Sequence, residues 1–206
     1  TPDQRPARRW RQRAALILGI ALTALSLTLA AQAQTPEPPD ASGPRQSTVF
    51  LMQVYESTGV QVLSCVGSGT LISGDGLILT NAHLAEPLGP CRGERVIVAL
   101  PVRVDEPPVP TYLAETVQVD EQLDLAVLQI TSGLDGSLID TNTLNLPSAT
   151  LGDPAALLPG SGLTFVGYPD IGALSVEAVQ GVVTGITSEK SGSRMAWLRT
   201  DSELGG

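Results

Sequence analysis

Short apolar runs separated by turn residues recur along the chain after residue 47, and one pair of them predicts a β-hairpin. Thr70-Leu71-Ile72 and Leu77-Ile78-Leu79-Thr80 flank Ser73-Gly74-Asp75-Gly76, whose small residues suit a tight turn. The second strand leads directly into Asn81-Ala82-His83. His83 is the only histidine in 206 residues. A histidine at the exit of a strand has a fixed backbone and a ring that can face a cleft, which suits a general base.

The other apolar runs predict an all-β protein. Strands are expected at Thr48–Glu56, Val60–Val66, Arg95–Leu100, Tyr112–Val119, Leu123–Ile130, Gly162–Gly167, Ser175–Ser188 and Met195–Thr200. Asp105–Pro110 contains three prolines and is predicted to be a loop, as is Gly133–Pro159, which would cross from one half of the fold to the other. No amphipathic helix is evident after Ala33. Many short strands between Gly/Pro turns are typical of a barrel or a sandwich.

The N-terminal segment has the pattern of an export signal. Residues 1–13 carry five arginines, residues 14–31 are uncharged and rich in Leu and Ala, and Ala31-Gln32-Ala33 has the small-x-small form of a cleavage site. The apolar stretch is also long enough to span a bilayer, so residues 1–33 are interpreted as a signal peptide or a retained signal anchor. Residues 34–47 are Pro-rich and polar and are predicted to form an extended linker. Residues 48–206 would then be the exported domain.

The exported part is strongly acidic. Without the five arginines and one aspartate of residues 1–33, seven basic and twenty acidic residues remain, a formal charge of −13. This charge disfavours nucleic acid and anionic lipid as partners. A membrane role is therefore expected only through the N-terminal segment.

Cys65 and Cys91 are the two cysteines of the chain, and both follow the export signal. An even pair in an oxidising compartment is most simply a disulfide, although two separate buried thiols would also fit the sequence. The bridge would close the segment that contains the hairpin and His83. We expect it to stiffen the support of the histidine.

Asp124 is the second candidate for chemistry, because it interrupts the apolar run L-D-L-A-V-L. A carboxylate in a strand of this kind needs a hydrogen-bond partner, either a backbone N–H at a turn or the ring of His83. A carboxylate bonded to an imidazole is the orienting half of a catalytic triad, and the order His, Asp, Ser is that of one triad class. The third member would be a serine or cysteine further along the chain.

No serine in the sequence has a convincing nucleophile context. Ser68 and Ser161 lie in Gly-Ser-Gly, where a turn or a close backbone contact is the better interpretation. Ser191 and Ser193 lie in a polar turn. The cysteines are better explained as a pair.

Five sequence blocks resemble successive blocks of trypsin-like serine endopeptidases, most of all the HtrA/Deg type. They are G-S-G-T-L-I-S with I-L-T-N-A-H-L within 67–84, D-L-A-V-L-Q-I at 124–130, F-V-G-Y-P at 165–169, E-A-V-Q-G-V-V-T-G-I at 177–186 and L-R-T-D at 198–201. The resemblance implies a double β-barrel whose second barrel is incomplete within this chain. It also implies that His83 is the general base and Asp124 its orienting acid. Asp120 is the less suitable carboxylate because it lies outside the apolar run.

In that family the T-D block precedes a G-N-S-G-G segment that holds the nucleophile and the oxyanion-hole amides. The resemblance therefore places the serine shortly after Gly206, and residues 1–206 are expected to be a fragment that is inactive by itself. Leu84 stands where animal trypsins have a cysteine, so a Cys65–Cys91 bridge would be a different one. No metal or cofactor is expected; polypeptide substrates are implied, with homo-oligomers and a downstream PDZ domain allowed by analogy.

Two other interpretations remain open at this point. The chain could be a catalytically inactive binding or scaffold protein on a protease fold, with no serine in the nucleophile position. It could also be an unrelated secreted β-sandwich, in which case His83 and Asp124 would lie far apart.

Overall fold

The structure is a computed structural model that describes residues 42–103, 105–169, 175–187 and 197–202. Its elements, in chain order, are helix α1 (Ser42–Ser47), β1 (Thr48–Ser57), β2 (Val60–Leu71), β3 (Leu77–Thr80), helix α2 (Ala82–Ala85), β4 (Arg95–Leu100), β5 (Val109–Asp120), β6 (Leu125–Gly133), β7 (Gly162–Gly167), β8 (Glu177–Thr187) and β9 (Trp197–Thr200), with 3₁₀ turns at Thr141–Thr143 and Pro154–Ala156. The predicted all-β class is confirmed.

Six strands form a closed barrel in the order β1-β2-β3-β6-β5-β4, and β4 pairs with β1 to complete the circle. All the pairings are antiparallel. Inward-facing residues alternate with outer ones, as β6 shows by alternating buried and half-buried side chains. The barrel core consists of Val49, Leu51, Leu71, Ile78, Ala85, Val96, Val98, Ala114, Ala126, Leu128 and Ile130.

After the barrel, the chain forms a three-stranded antiparallel sheet in the order β7-β8-β9. Over the described residues this sheet does not close into a barrel. The segment between β6 and β7 makes the predicted crossing. Two glycines of β8 lie at irregular or crowded positions: the register shifts between Val183 and Gly185, and a Cβ on Gly181 would clash with Ser202 Oγ.

The hydroxyl group of Ser68 joins the barrel to the residue that follows β7. Ser68 of β2 accepts the backbone N–H of Tyr168 at 2.7 Å and donates to its carbonyl at 3.5 Å. The Tyr168 ring packs against Phe50 of β1 with the ring centroids 5.2 Å apart. Ser68 therefore makes the close backbone contact predicted for it.

Two sequence expectations about the backbone are wrong. The predicted extended linker ends early, because residues 42–47 form α1, which is stabilised where Ser47 and Thr48 donate their hydroxyls to the carbonyl of Pro44 at 3.1 and 2.8 Å. The predicted loop at Asp105–Pro110 also ends early, since β5 begins at Val109 and Pro110 pairs with Ala99. Proline is tolerated there because it lies at the start of the strand, next to a register shift.

Several predictions fall outside the described residues: the export signal at 1–33, the linker as far as residue 41, and the polar turn that contains Ser191 and Ser193. Within the described ranges, no helix combines the length and the hydrophobicity needed to cross a membrane.

Candidate active site

The β2–β3 hairpin carries His83 to the rim of the barrel. The N–H of Leu77 donates to Ser73 Oγ at 3.0 Å and closes the turn of this hairpin. Within the turn, Gly76 has φ 93, a conformation that favours glycine. β3 pairs with β6 so that Thr80 lies opposite Ala126. Since residue 81 continues past the end of β3 and residue 124 precedes β6, this register brings His83 and Asp124 together.

His83 and Asp124 form a close pair. His83 Nδ1 lies 2.8 Å from Asp124 Oδ2 and 3.1 Å from Oδ1. The backbone N–H of His83 also donates to Oδ1 at 3.1 Å. A proton on Nδ1 would be held by the carboxylate, so Nε2 would be the ring nitrogen able to accept a proton.

The local setting of Asp124 differs from the prediction. We expected a carboxylate buried within a strand, but Asp124 ends a turn before β6, has φ 51, and its side chain is 44% exposed. Leu123 and Leu125 are also exposed, at 37% and 42%. The apolar run is misleading because its first residues lie at the barrel rim and only the residues from Ala126 onward enter the core.

The pKa of Asp124 is lowered. Burial raises it, but the backbone N–H of His83, the His83 ring and the Asn81 amide favour the charged carboxylate and together outweigh that effect. Asp124 therefore stays ionised where an ordinary carboxyl would begin to protonate. An ionised carboxylate is the form that can orient a histidine.

The buried side chain of Gln53 forms hydrogen bonds to the backbone at the C-terminal end of α2. This β1 side chain is 1% exposed, and its Nε2 donates to the carbonyl of Glu86 at 2.9 Å and to that of His83 at 3.4 Å. Its Oε1 accepts the N–H of Gly93 at 2.9 Å. One buried amide thus ties the segment that carries His83 to the segment that follows the disulfide.

Gly67 provides the space that α2 needs on the other side. A Cβ at this position would clash with Leu84 Cδ1, and Leu84 is 3% exposed. The absent side chain lets the residue after His83 pack directly on β2. Leu84 is therefore a packing residue at the place where animal trypsins have a cysteine.

Cys65 and Cys91 form a disulfide with their Cα atoms 5.4 Å apart, which confirms the pairing expected from the sequence. The bridge joins β2 to the segment after α2. Beside it, Ser64 Oγ accepts the N–H of Arg92 at 2.6 Å. The loop that contains the hairpin and His83 is therefore fixed at both ends.

The other candidates lie outside this arrangement. Asp120 Oδ1 accepts the N–H groups of Gln122 and Leu123 at 3.0 and 3.1 Å, so it caps the turn before Asp124. Ser161 Oγ accepts the N–H of Leu158 at 3.0 Å in a turn. Ser191 and Ser193 lie outside the described residues.

The sequence pattern predicts no role for Asn81 or Gln53. Asn81 Nδ2 donates to both the carbonyl and the carboxylate of Asp124, at 3.1 and 3.2 Å. Asn81 lies two residues before the candidate base, but this position does not indicate the partner of its amide. Gln53 carries no signal in the sequence, because a glutamine in an alternating strand is ordinarily an outward-facing residue.

In the parts of the chain that the structure describes, no group of three or more His, Cys, Asp or Glu residues could hold a metal ion.

Comparison with known proteins places the chain among peptidases. Residues 67–206 match the model of the trypsin-like peptidase domain. Serine protease HTRA1B of Danio rerio is 29% identical over 143 residues, which cover 69% of this chain and 25% of that protein. Serine protease HTRA1 of Xenopus laevis is 28% identical over 143 residues, 69% of this chain and 26% of that protein.

A bacterial relative shows a similar likeness over a shorter stretch. The probable periplasmic serine endoprotease DegP-like of Halomonas elongata is 33% identical over 104 residues, 50% of this chain and 17% of that protein. The chain spans about a quarter of the length of the two HTRA1 relatives.

Proposed function

The chain belongs to the trypsin-like peptidase domain family, and from this premise we propose that it is a serine endopeptidase of the HtrA/Deg type. The observation that carries the proposal is the contact of His83 Nδ1 with the Asp124 carboxylate at 2.8 Å, at the rim of a closed barrel. A backbone N–H and a side-chain amide hold the same carboxylate in place.

In the proposed mechanism, a serine hydroxyl attacks the scissile carbonyl carbon while His83 Nε2 accepts the hydroxyl proton. Asp124 holds the proton on Nδ1 and stabilises the imidazolium that forms. His83 then returns the accepted proton to the leaving amine, and the C–N bond breaks to give an acyl-enzyme. Water attacks the ester in the same way, with His83 first taking its proton and then giving it to the serine oxygen.

The proposed nucleophile is a serine that follows Gly206 in the encoded chain. Support comes from L-R-T-D at 198–201, which resembles the block that precedes the nucleophile in this family. Val182 N–H donates to Asp201 Oδ1 at 2.8 Å, so this block is fixed to β8. By this proposal residues 1–206 alone do not cleave peptides.

The proposed place of action is outside the cytoplasm, on polypeptides of the envelope or the extracellular space. The Cys65–Cys91 disulfide supports this proposal, because disulfides persist in oxidising compartments. The proposed export signal at residues 1–33 would direct the chain there.

Active-site labelling tests the proposal. The open reading frame past Gly206 is read first, and we expect a G-x-S-G-G sequence. The full encoded chain is then treated with a fluorophosphonate, which labels an activated serine. We expect labelling of the parent chain and none of His83→Ala.

Asp124→Asn and Asp120→Asn form a matched pair for the same assay. Both remove one carboxylate charge, but only Asp124 contacts His83. Loss of the orienting carboxylate costs about 10⁴-fold in turnover where it has been measured in a triad. We expect a loss of that order for Asp124→Asn and turnover close to the parent for Asp120→Asn. Equal losses in the two variants would refute the orienting role of Asp124, and a frame without serine or cysteine at that position would make the chain a binding protein on a protease scaffold.

A further inference from the structure

Helix α2 begins without a cap from its own N-terminal residue. Asn81 occupies the cap position with extended backbone angles (φ −80, ψ 147), yet its side chain makes no capping hydrogen bond. Asparagine at this position ordinarily accepts an N–H from the first turn of its helix. Here the second helical residue, His83, donates its N–H to Asp124 Oδ1 at 3.1 Å. The carboxylate of Asp124 therefore caps the helix across a separation of 41 residues.

The Asn81 amide is consequently free for another role. Its Nδ2 donates to the backbone carbonyl of Asp124 at 3.1 Å and to Oδ2 at 3.2 Å. The same Oδ2 lies 2.8 Å from His83 Nδ1. One amide group thus holds both the main chain and the side chain of the candidate orienting acid.

The two hydrogen bonds from Asn81 stabilise the backbone conformation of Asp124 and the position of its carboxylate, neither of which is strongly held otherwise. Asp124 has φ 51, a left-handed conformation that is uncommon for residues other than glycine, and the bond to its carbonyl opposes relaxation to an ordinary conformation. The side chains of His83 and Asp124 are each 44% exposed, so water competes for the carboxylate. A hydrogen-bonded pair of this exposure holds a fixed geometry only weakly by itself. Additional donors are needed to keep the carboxylate against the ring.

We propose that Asn81 is a positioning residue, which holds the Asp124 carboxylate so that the proton of neutral His83 stays on Nδ1 and Nε2 remains free to accept a proton. The inference rests on the proposed function for its significance, because a free Nε2 is what a general base requires. The geometry that it describes can be measured without any turnover.

The histidine itself provides the measurement. In a chain labelled with ring-¹⁵N histidine, the signals of His83, the only histidine within residues 1–206, are identified by their loss in His83→Ala, and their chemical shifts report which ring nitrogen carries the proton. At a pH where the ring is neutral, we expect the proton on Nδ1 in the parent chain. In Asn81→Ala we expect a several-fold increase in the fraction with the proton on Nε2.

A second variant and a matched control make the test specific. Asn81→Asp keeps the shape of the side chain but loses the donor and faces Asp124 with a like charge, so the same shift of the proton is expected. Asn142→Ala removes a similar bond, in which Asn142 Nδ2 donates to Asp140 Oδ1 at 3.1 Å, far along the chain from the site. We expect the parent spectrum from this control. Asn81 is exposed, so neither substitution at this position disturbs the barrel core.

The possible results separate this inference from the proposed function. A parent-like proton distribution in both Asn81 variants overturns the inference, whether or not the full chain cleaves peptides. If the proton is displaced in the Asn81 variants while the full encoded parent chain fails to label with a fluorophosphonate, the positioning role is supported and the peptidase is refuted. In an active chain, Asn81→Ala is expected to lower kcat about tenfold with KM unchanged, since one of the two lost hydrogen bonds is to the charged carboxylate that orients His83.

Discussion

The buried amide of Gln53 offers a sharp test of what supports the candidate active site. Gln53→Met retains the length of the side chain and removes all three hydrogen bonds, those to the carbonyls of His83 and Glu86 and that from the N–H of Gly93. Water can replace these bonds only by entering the buried space around the Gln53 side chain, because Gln53 is 1% exposed.

The magnitude follows from these three bonds. Each intramolecular hydrogen bond contributes about 1 kcal/mol net, and a buried N–H left without a partner costs about 1–3 kcal/mol. The bond to His83 is long at 3.4 Å and counts for little. We therefore expect Gln53→Met to lower the free energy of unfolding by about 3 kcal/mol, which corresponds to a fall in Tm of about 6–12 °C for a domain of this size.

Urea unfolding followed by far-UV circular dichroism measures the effect. Gln118→Met is the matched control, because Gln118 is exposed on β5 and surface substitutions usually change stability by less than about 0.5 kcal/mol. Gln53→Glu adds a check on the donor: ionised, it would face two carbonyls with a charge, and protonated, it could donate again. The reasoning is refuted if Gln53→Met and Gln118→Met unfold at urea concentrations that correspond to stabilities within 1 kcal/mol of each other.

Two further predictions concern the bridge and the carboxylate. Replacing both Cys65 and Cys91 by alanine removes a bridge between residues 26 apart and should lower the free energy of unfolding by about 3.5 kcal/mol. Reductant should produce the same loss in the parent chain, and a parent whose free energy of unfolding does not change with reductant contradicts this prediction. Since folding lowers the pKa of Asp124, its contribution to stability is complete above the ordinary carboxyl pKa and is lost as the pH falls through the lower folded value. The stability difference between the parent and Asp124→Ala, measured by urea unfolding between pH 2 and pH 6, should therefore shrink on acidification; a difference that stays constant with pH rules out this contribution.

The sequence was sufficient to predict the family and most of the strands, because the apolar runs have the lengths and boundaries that the barrel requires. The resemblance to trypsin-like peptidases is confirmed by the match over residues 67–206. The contact between His83 and Asp124 was predicted from their residue types and from that resemblance. The register between β3 and β6 then supplies the physical reason for the contact.

The surroundings of the pair could not be predicted in the same way. The turn before β6 is not predicted, because the sequence pattern indicates that Leu123 and Leu125 are core residues, whereas both lie exposed at the rim. The roles of Asn81 and Gln53 depend on partners 43 and 30–40 residues away. Local patterns carry no information about hydrogen bonds of that separation. Composition and alternation determine which strands form, while the polar contacts appear only once the strands are placed together.

The short part of β2 from Cys65 to Ser68 restricts where this chain can change in length. It carries the bridge to Cys91, the glycine against which Leu84 packs and the hydroxyl bound to Tyr168. Because side chains alternate between the two faces of a strand, one residue inserted within this part would turn the contacts on one side of the insertion to the wrong face, so the three could not all be kept. Residues 151–153 are exposed, so an insertion there would leave these contacts in place. A reporter peptide or a new binding loop is therefore best inserted in that crossing segment, which leaves β2 unchanged.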